Sequence, residues 1–351
     1  MLRKIILLFS IVFMIILAGC GGNEENSSSE NEGSTTNEES STDDANEGNS
    51  ELTHVTFSLD WTPNTNHTGI YVAKEKGFFE EQGLDVEILL PGEVGVNQLL
   101  AAGKADFGVS YQEGLTQARS EGLPIVSIAA VIQHNTAGYA SPVDKDITGP
   151  KDFEGKKFGA YGSDLERAMM KTIMENENAD IEEVEFITTG DSDFFVAVER
   201  DVDFSLVYYA WTGIEAELRG VDLNMVYLSD FSDQLDFYTP ILATNEEMIE
   251  TNPEIVEAFT AAAVKGYEFA IENPEEAAQI LIDAEPDLDP ELVKQSQEWL
   301  SPRYQEDAER FGIQERDRWQ NFADFLLENE IIDEAVDVDQ AFTNDFLPEI
   351  E

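Results

Sequence analysis

Val55, Phe57 and Leu59 alternate with polar neighbours, a period that predicts a strand with one buried face. The period then lengthens to that of a helix from about His67 to Lys76, with Gly77 placed to stop it. A further helical turn, Phe78 to Gln82, leads into a second strand, "LDVEILL". "GVNQLLAAGKADFGVS" reads as helix, glycine stop and strand, and the unbroken apolar run "PIVSIAAVI" from Pro124 predicts a strand buried on both faces. The unit then recurs: "KKFGAYG" opens onto a helix from Ser163 to about Glu175, "VEFIT" is a strand, "SDFFVAVERD" a helix and "VDFSLVYYA" a strand. From Glu246 onward the chain is expected to be mostly helical, punctuated by Pro253, Pro274, Pro286, Pro290 and Pro302. Strands alternating with helices predict an α/β protein with mostly parallel sheets covered on both faces.

Where strands hand over to helices, chemistry-bearing residues crowd together. The first junction carries Asp60, Trp61, Asn64 and His67, and another carries Tyr111, Gln112 and Glu113. In the second half they are Tyr161 and Ser163, then the stretch from Tyr208 through Trp211 to Glu215. Turning the chain requires only glycine, serine and one cap, so these junctions carry more than a turn needs. Ligands of open parallel sheets sit beyond the carboxyl ends of the strands, and two such lobes facing each other make a cleft. Trp61 offers a stacking face, with Asp60 or Asn64 as hydrogen-bonding partners for ring nitrogens and amino groups; core packing and helix capping are the competing roles. His67 either donates to a ligand or caps. Tyr208 and Tyr209 point to opposite faces of their strand, while Trp211 and Glu215 share a face if their segment is helical. Ser163 and Asp164 form a helix N-cap whose N–H groups could meet an oxygen.

The ends change the picture. Arg3 and Lys4 precede an apolar run from Ile5 to Leu17, thirteen residues, which fits a secretory signal better than a membrane span of about 20 residues. Cys20, the one cysteine, follows Leu17-Ala18-Gly19 in a pattern resembling the bacterial lipobox, so it is expected to carry a lipid anchor. With no other cysteine, the body has no intramolecular disulfide and no thiolate chemistry. Residues 21–51 lack aromatic, branched aliphatic and basic residues and are expected to be an acidic, disordered tether. The chain carries 73 acidic and 20 basic residues, a formal charge of −53. That field argues against nucleic acid and for an exported protein facing high salt or high pH.

The stretch "LDWTPNTNHTGIYVAKEKGFFEEQGLDVEILLPG", with "LLAAGKADFGVSY", "DFEGKKFGAYG", "GYEFAIENPEEAAQIL" and "FTNDFLP", resembles the NMT1/THI5-like group of type II periplasmic binding proteins, which includes ABC-transporter lipoproteins for thiamine pyrimidine precursors. "W-x-P-N-x-x-H" is the distinctive part. The resemblance implies two parallel-sheet lobes around a ligand cleft with a helical C-terminal region. Residues 1–19 are then signal, 20–51 anchor and tether, 52–140 plus 242–351 the first lobe, and 141–241 the second. The crossings are placed near Tyr139 to Val143 and Tyr238 to Leu242, which adds Tyr238 to the expected site. It further implies a monomer that hands a small heterocycle to permease and ATPase subunits, with no cofactor and no metal. The group also contains cytosolic pyrimidine synthases, which need a cysteine-rich motif absent here. In the pyrimidine-transporter members a Glu follows the strand corresponding to "FSLVYYA", where this chain has Thr212, with Glu215 three residues on. His54 and His134 show no metal spacing and are expected to be structural or surface residues. So acidic a protein favours a neutral or cationic ligand. A thiamine-type aminopyrimidine is therefore expected, with riboflavin or an alkanesulfonate or nitrate as alternatives.

Overall fold

The computed structural model describes residues 52–190 and 192–349; the expected signal, Cys20 anchor and tether lie outside them. Ten strands form two five-stranded sheets. The first contains β1 (Thr53–Ser58), β2 (Leu84–Leu89), β3 (Phe107–Ser110), β4 (Ile125–Ala130) and β10 (Ile241–Asn245), in the order β2-β1-β3-β10-β4. The second contains β5 (Ala137–Pro142), β6 (Lys157–Ala160), β7 (Glu185–Thr188), β8 (Phe204–Tyr208) and β9 (Leu223–Tyr227), in the order β7-β6-β8-β5-β9. Pairs β1/β2, β1/β3, β6/β7 and β6/β8 are parallel, as the alternation predicts. Each sheet also takes one antiparallel strand: β10 runs against β3 and β4, and β5 against β8 and β9. Those two strands follow the crossings, and the chain enters each sheet from the other lobe.

The crossings differ from expectation. Tyr139 to Pro142 lie within β5 of the second sheet, so the chain changes lobes over residues 131–136 instead. It returns over residues 228–240, and Ile241 and Leu242 already belong to β10. The C-terminal region is not confined to the first lobe either. Helix Arg316–Glu328 places Trp319 and Ala323 in a core with Tyr238 and Ile241, while Phe322, Phe325 and Leu326 enter the second-lobe core. They lie along one apolar side of the helix, which spans both cores.

Aromatic rings build both cores. Phe259 of helix Pro253–Glu272 lies against Phe57, Phe79 and Phe107, the last at 3.9 Å between centroids. Helix Thr68–Glu75 packs closely on the same helix, because any side chain at Gly266 would meet the Gly69 carbonyl oxygen at 2.1 Å. In the second lobe Tyr139 stands edge-on to Phe153, Phe158 and Phe204. Pro253, Pro274 and Pro290 each open a helix, where the missing N–H costs nothing.

Charges pin the crossings to each other. His134 holds Asp236 through Nδ1 at 2.6 Å and Asp307 through Nε2 at 3.0 Å. Asp236 also accepts the Asn135 N–H at 2.8 Å, and Arg318 reaches both Asp236, at 3.6 Å, and the Gln133 carbonyl. Elsewhere the end of β8 is tied to the first lobe. Ser296 of helix Pro290–Gln305 donates to the Ala210 carbonyl and meets Thr65 Oγ1 at 2.6 Å, and the Tyr209 ring lies 5.1 Å from that of Trp299.

Candidate functional site

Asp60 emerges two residues after β1 and is fixed by a short chain of hydrogen bonds. Asn64 caps the 3-10 turn Thr65–His67, its side chain accepting from the Asn66 N–H at 2.9 Å, and its own N–H donates to His67 Nδ1 at 3.2 Å. His67 therefore carries its proton on Nε2, which donates to Asp60 Oδ1 at 2.7 Å. Tyr111, the residue after β3, donates its hydroxyl to Asp60 Oδ2. Burial opposes the Asp60 charge, but the hydrogen bonds from His67 and Tyr111 outweigh it and hold the carboxyl below its ordinary range. Burial, and then the Asp60 charge, push the Tyr111 phenol well above its ordinary range. The pair is thus a fixed anion with a neutral phenol.

Two more groups meet them. Glu113, in the first turn of helix Gln112–Ser120, has its Oε2 sealed from solvent with no hydrogen-bond partner among the described residues. Burial raises its carboxyl to about 8 against the smaller pull of its own backbone N–H. Tyr208, the last residue of β8, brings a phenol from the second lobe that feels Glu113, Asp60 and Tyr161 and is pushed up chiefly by burial. The residue as a whole is 40% exposed. The ends of β1, β3 and β8 therefore converge between the two sheets. On the loops beside them, Trp61 is 53% exposed and Tyr161 59% exposed, so the core role weighed for Trp61 does not apply.

Other expected site residues have different work. Both His67 ring nitrogens are engaged and the residue is fully buried, so it orients Asp60 and does not face a ligand. Asn64 is likewise spent on its turn, its Nδ2 donating to the Thr62 carbonyl at 3.0 Å. Ser163 does cap helix Asp164–Asn176, but the nearby N–H groups of Tyr161, Gly162 and Ser163 all donate to the Glu166 carboxylate. They are not open to a ligand oxygen. Tyr209–Gly213 is a π-helix, and Glu215 belongs to the α-helix Ile214–Arg219 that continues it, so Trp211 and Glu215 sit on differently wound turns. Trp211 packs against the first-lobe core, and Glu215 pairs with Arg219. Tyr238 is fully buried at the second crossing; its hydroxyl accepts the Glu315 N–H at 2.9 Å and Arg318 lies over its ring at 4.6 Å.

Sequence reasoning missed Thr239, a buried residue whose side chain meets the Tyr208 phenol. A threonine beside a proline carries no signal of its own. Gln112, named with the same junction as Tyr111, has a positioning part: its Oε1 accepts the Tyr238 N–H at 2.8 Å and its N–H donates to the Tyr238 carbonyl at 3.0 Å, locking that junction to the second crossing. Among the described residues no group of three or more His, Cys, Asp or Glu is placed to hold a metal, and no helix is long and apolar enough to cross a membrane.

Comparison with known proteins agrees with this architecture. The chain is 29% identical over 311 residues to the formylaminopyrimidine-binding protein of Halalkalibacterium halodurans, covering 84% of this chain and 90% of that one. It is 27% identical to the 4-amino-5-hydroxymethyl-2-methylpyrimidine phosphate synthase of Legionella pneumophila, covering 85% and 93%. The periplasmic aliphatic sulphonate-binding protein SsuA of Escherichia coli superposes with a TM-score of 0.65 at 12% identity, covering 85% of this chain and 94% of that one, which establishes the periplasmic-binding-protein fold. The profile described as NMT1/THI5 like matches residues 64–277. The chain belongs to the NMT1/THI5-like family.

Proposed function

We propose that the protein is the extracytoplasmic solute-binding component of an ABC importer and captures a small planar aminopyrimidine of the thiamine-precursor type. The observation that carries this reading is the convergence of Asp60, Tyr111, Glu113 and Tyr208 from both sheets, with two exposed aromatics beside them. A planar ring needs a stacking face and in-plane partners, and this cluster supplies both. The formylaminopyrimidine-binding relative supports the ligand class. Relatives named as synthases raise an enzyme as the alternative. A binding role is favoured because the body has no cysteine and because both nitrogens of His67 are committed inside the fold.

Calorimetry with formylaminopyrimidine, hydroxymethylpyrimidine, riboflavin and an alkanesulfonate is expected to show tightest binding to a pyrimidine; binding to none of the pyrimidines refutes the ligand assignment. Intact mass is expected to stay constant after incubation with pyridoxal phosphate and iron, whereas appearance of a pyrimidine would establish a synthase. The protein acts as a monomer, delivers its ligand to permease and ATPase subunits, and is held at the membrane through Cys20. Cys20→Ser is expected to release it to the medium with ligand affinity intact, and retention in the membrane fraction would assign anchoring to the apolar segment.

A further inference from the structure

Glu113 is the acidic residue of the cleft that the protein leaves unanswered. Asp60 has two donors; Glu113 Oε2 has none, although it is sealed from water. The titratable groups around it are the Tyr111 phenol at the end of β3, with Asp60 behind it, and the Tyr208 phenol at the end of β8, itself close to Tyr161. From its own helix only its backbone N–H assists, and among the described residues Glu113 enters no ion pair. A sealed charge without a counter-ion costs several kcal/mol, and such a group takes up a proton instead. The upward displacement of this carboxyl follows from that enclosure.

We propose that Glu113 meets the ligand as an uncharged carboxylic acid, its O–H donating to a ring nitrogen and its other oxygen accepting from the adjacent exocyclic amino group. This inference rests on the aminopyrimidine reading above and adds the protonation state in which the ring is read. The proton stays on the carboxyl, shared in a neutral pair, so no charge is buried when the lobes close over it. A buried carboxylate would instead select a protonated or permanently cationic ring. With the acid form as the competent one, apparent affinity scales with its population.

The test is calorimetry of the full-length protein in neutral detergent with 4-amino-5-hydroxymethyl-2-methylpyrimidine from pH 7 to 10. It is run in a His134→Gln background, which removes the hinge imidazole that titrates in the same window. Affinity is expected to weaken about tenfold per pH unit above about 8, reaching about 100-fold at pH 10. Buffers of different ionisation heat are expected to show uptake approaching one proton per ligand at pH 10. Glu113→Gln keeps a donor beside an acceptor, so it is expected to bind within about threefold at pH 7 and to show a flat profile, while Glu113→Leu loses binding. A wild-type affinity that is flat or rises with pH overturns the inference and leaves the aminopyrimidine reading standing. So does a loss above tenfold in Glu113→Gln with an unchanged melt. Failure of the protein to bind the pyrimidine at any pH overturns both.

Discussion

Asp60 is the residue on which the first-lobe half of the cleft is organised. Replacing it with Asn leaves the Tyr111 hydroxyl facing a weaker acceptor and sets an amide against the His67 N–H. Asp60→Asn is therefore expected to lower stability by about 2–3 kcal/mol in denaturant unfolding, with affinity falling as well. Because the folded carboxyl lies below its unfolded value, the contribution is present above about pH 4 and is lost as pH falls through the folded pKa. Trp61→Ala separates the two effects: an exposed ring can be lost with the melting temperature unchanged, while affinity is expected to drop about 5-fold to 150-fold. Asp60 and Trp61 stand out in the sequence as candidates because the first junction holds more polar and aromatic groups than a turn needs. The partners of Trp211 and Glu215, the first-lobe core and Arg219, are not legible there, because the π-helix that carries Trp211 leaves no mark in the spacing. Ser163 with Glu166 three residues on has the spacing of a capping box, but that spacing does not reveal that the N–H groups of Tyr161 and Gly162 also donate to Glu166.

At the scale of elements, the strands that feed the site were readable from their periods, and the crossings were not. Val131 and Ile132 extend the apolar run of β4 although they lie beyond it, buried by tertiary packing. Conversely "AGYASP" contains glycine, serine and proline and reads as a connector, yet it is β5, an interior strand of the second sheet between β8 and β9. Joining the crossings is His134, whose imidazole is raised to about 9 by its hydrogen bond to Asp236, against burial and with help from Asp307. A folded pKa above the unfolded value of 6.5 means this clamp contributes fully below about pH 6.5 and is lost as pH rises through 9. With the His134 side chain 33% exposed, solvent screening cuts the contribution to the order of 1–2 kcal/mol. The melting temperature of the wild type is expected to fall between pH 7 and 10 by an amount that His134→Gln abolishes; equal slopes would remove the clamp.

For the whole molecule, charge sets the conditions under which this fold works. Residues 51–351 carry 64 acidic side chains against 18 basic ones. Many of the described ion pairs are solvent-exposed and relieve little of the excess. Melting temperature is expected to rise with sodium chloride as the Debye length shrinks from about 30 to 10 Å, and a flat profile would show that repulsion is unimportant. The two-lobe plan was legible because strand and helix patterns repeat in kind across the chain. The antiparallel strand in each sheet was not, since a strand's direction depends on the lobe from which the chain arrives.

The position of helix Arg316–Glu328 in the chain order governs how the protein comes into being. All five strands of the second sheet precede it by nearly ninety residues or more, yet that sheet's core includes Phe322, Phe325 and Leu326, and the first lobe also waits for Phe342 to pair beside Ser127. A chain emerging from the ribosome from its N-terminus thus finds neither core complete until its last few dozen residues arrive. Its lobes therefore stay loosely folded for most of its synthesis. A chain that lacks helix Arg316–Glu328 has two unfinished cores, and removal of that helix is expected to abolish the cooperative melt of both lobes.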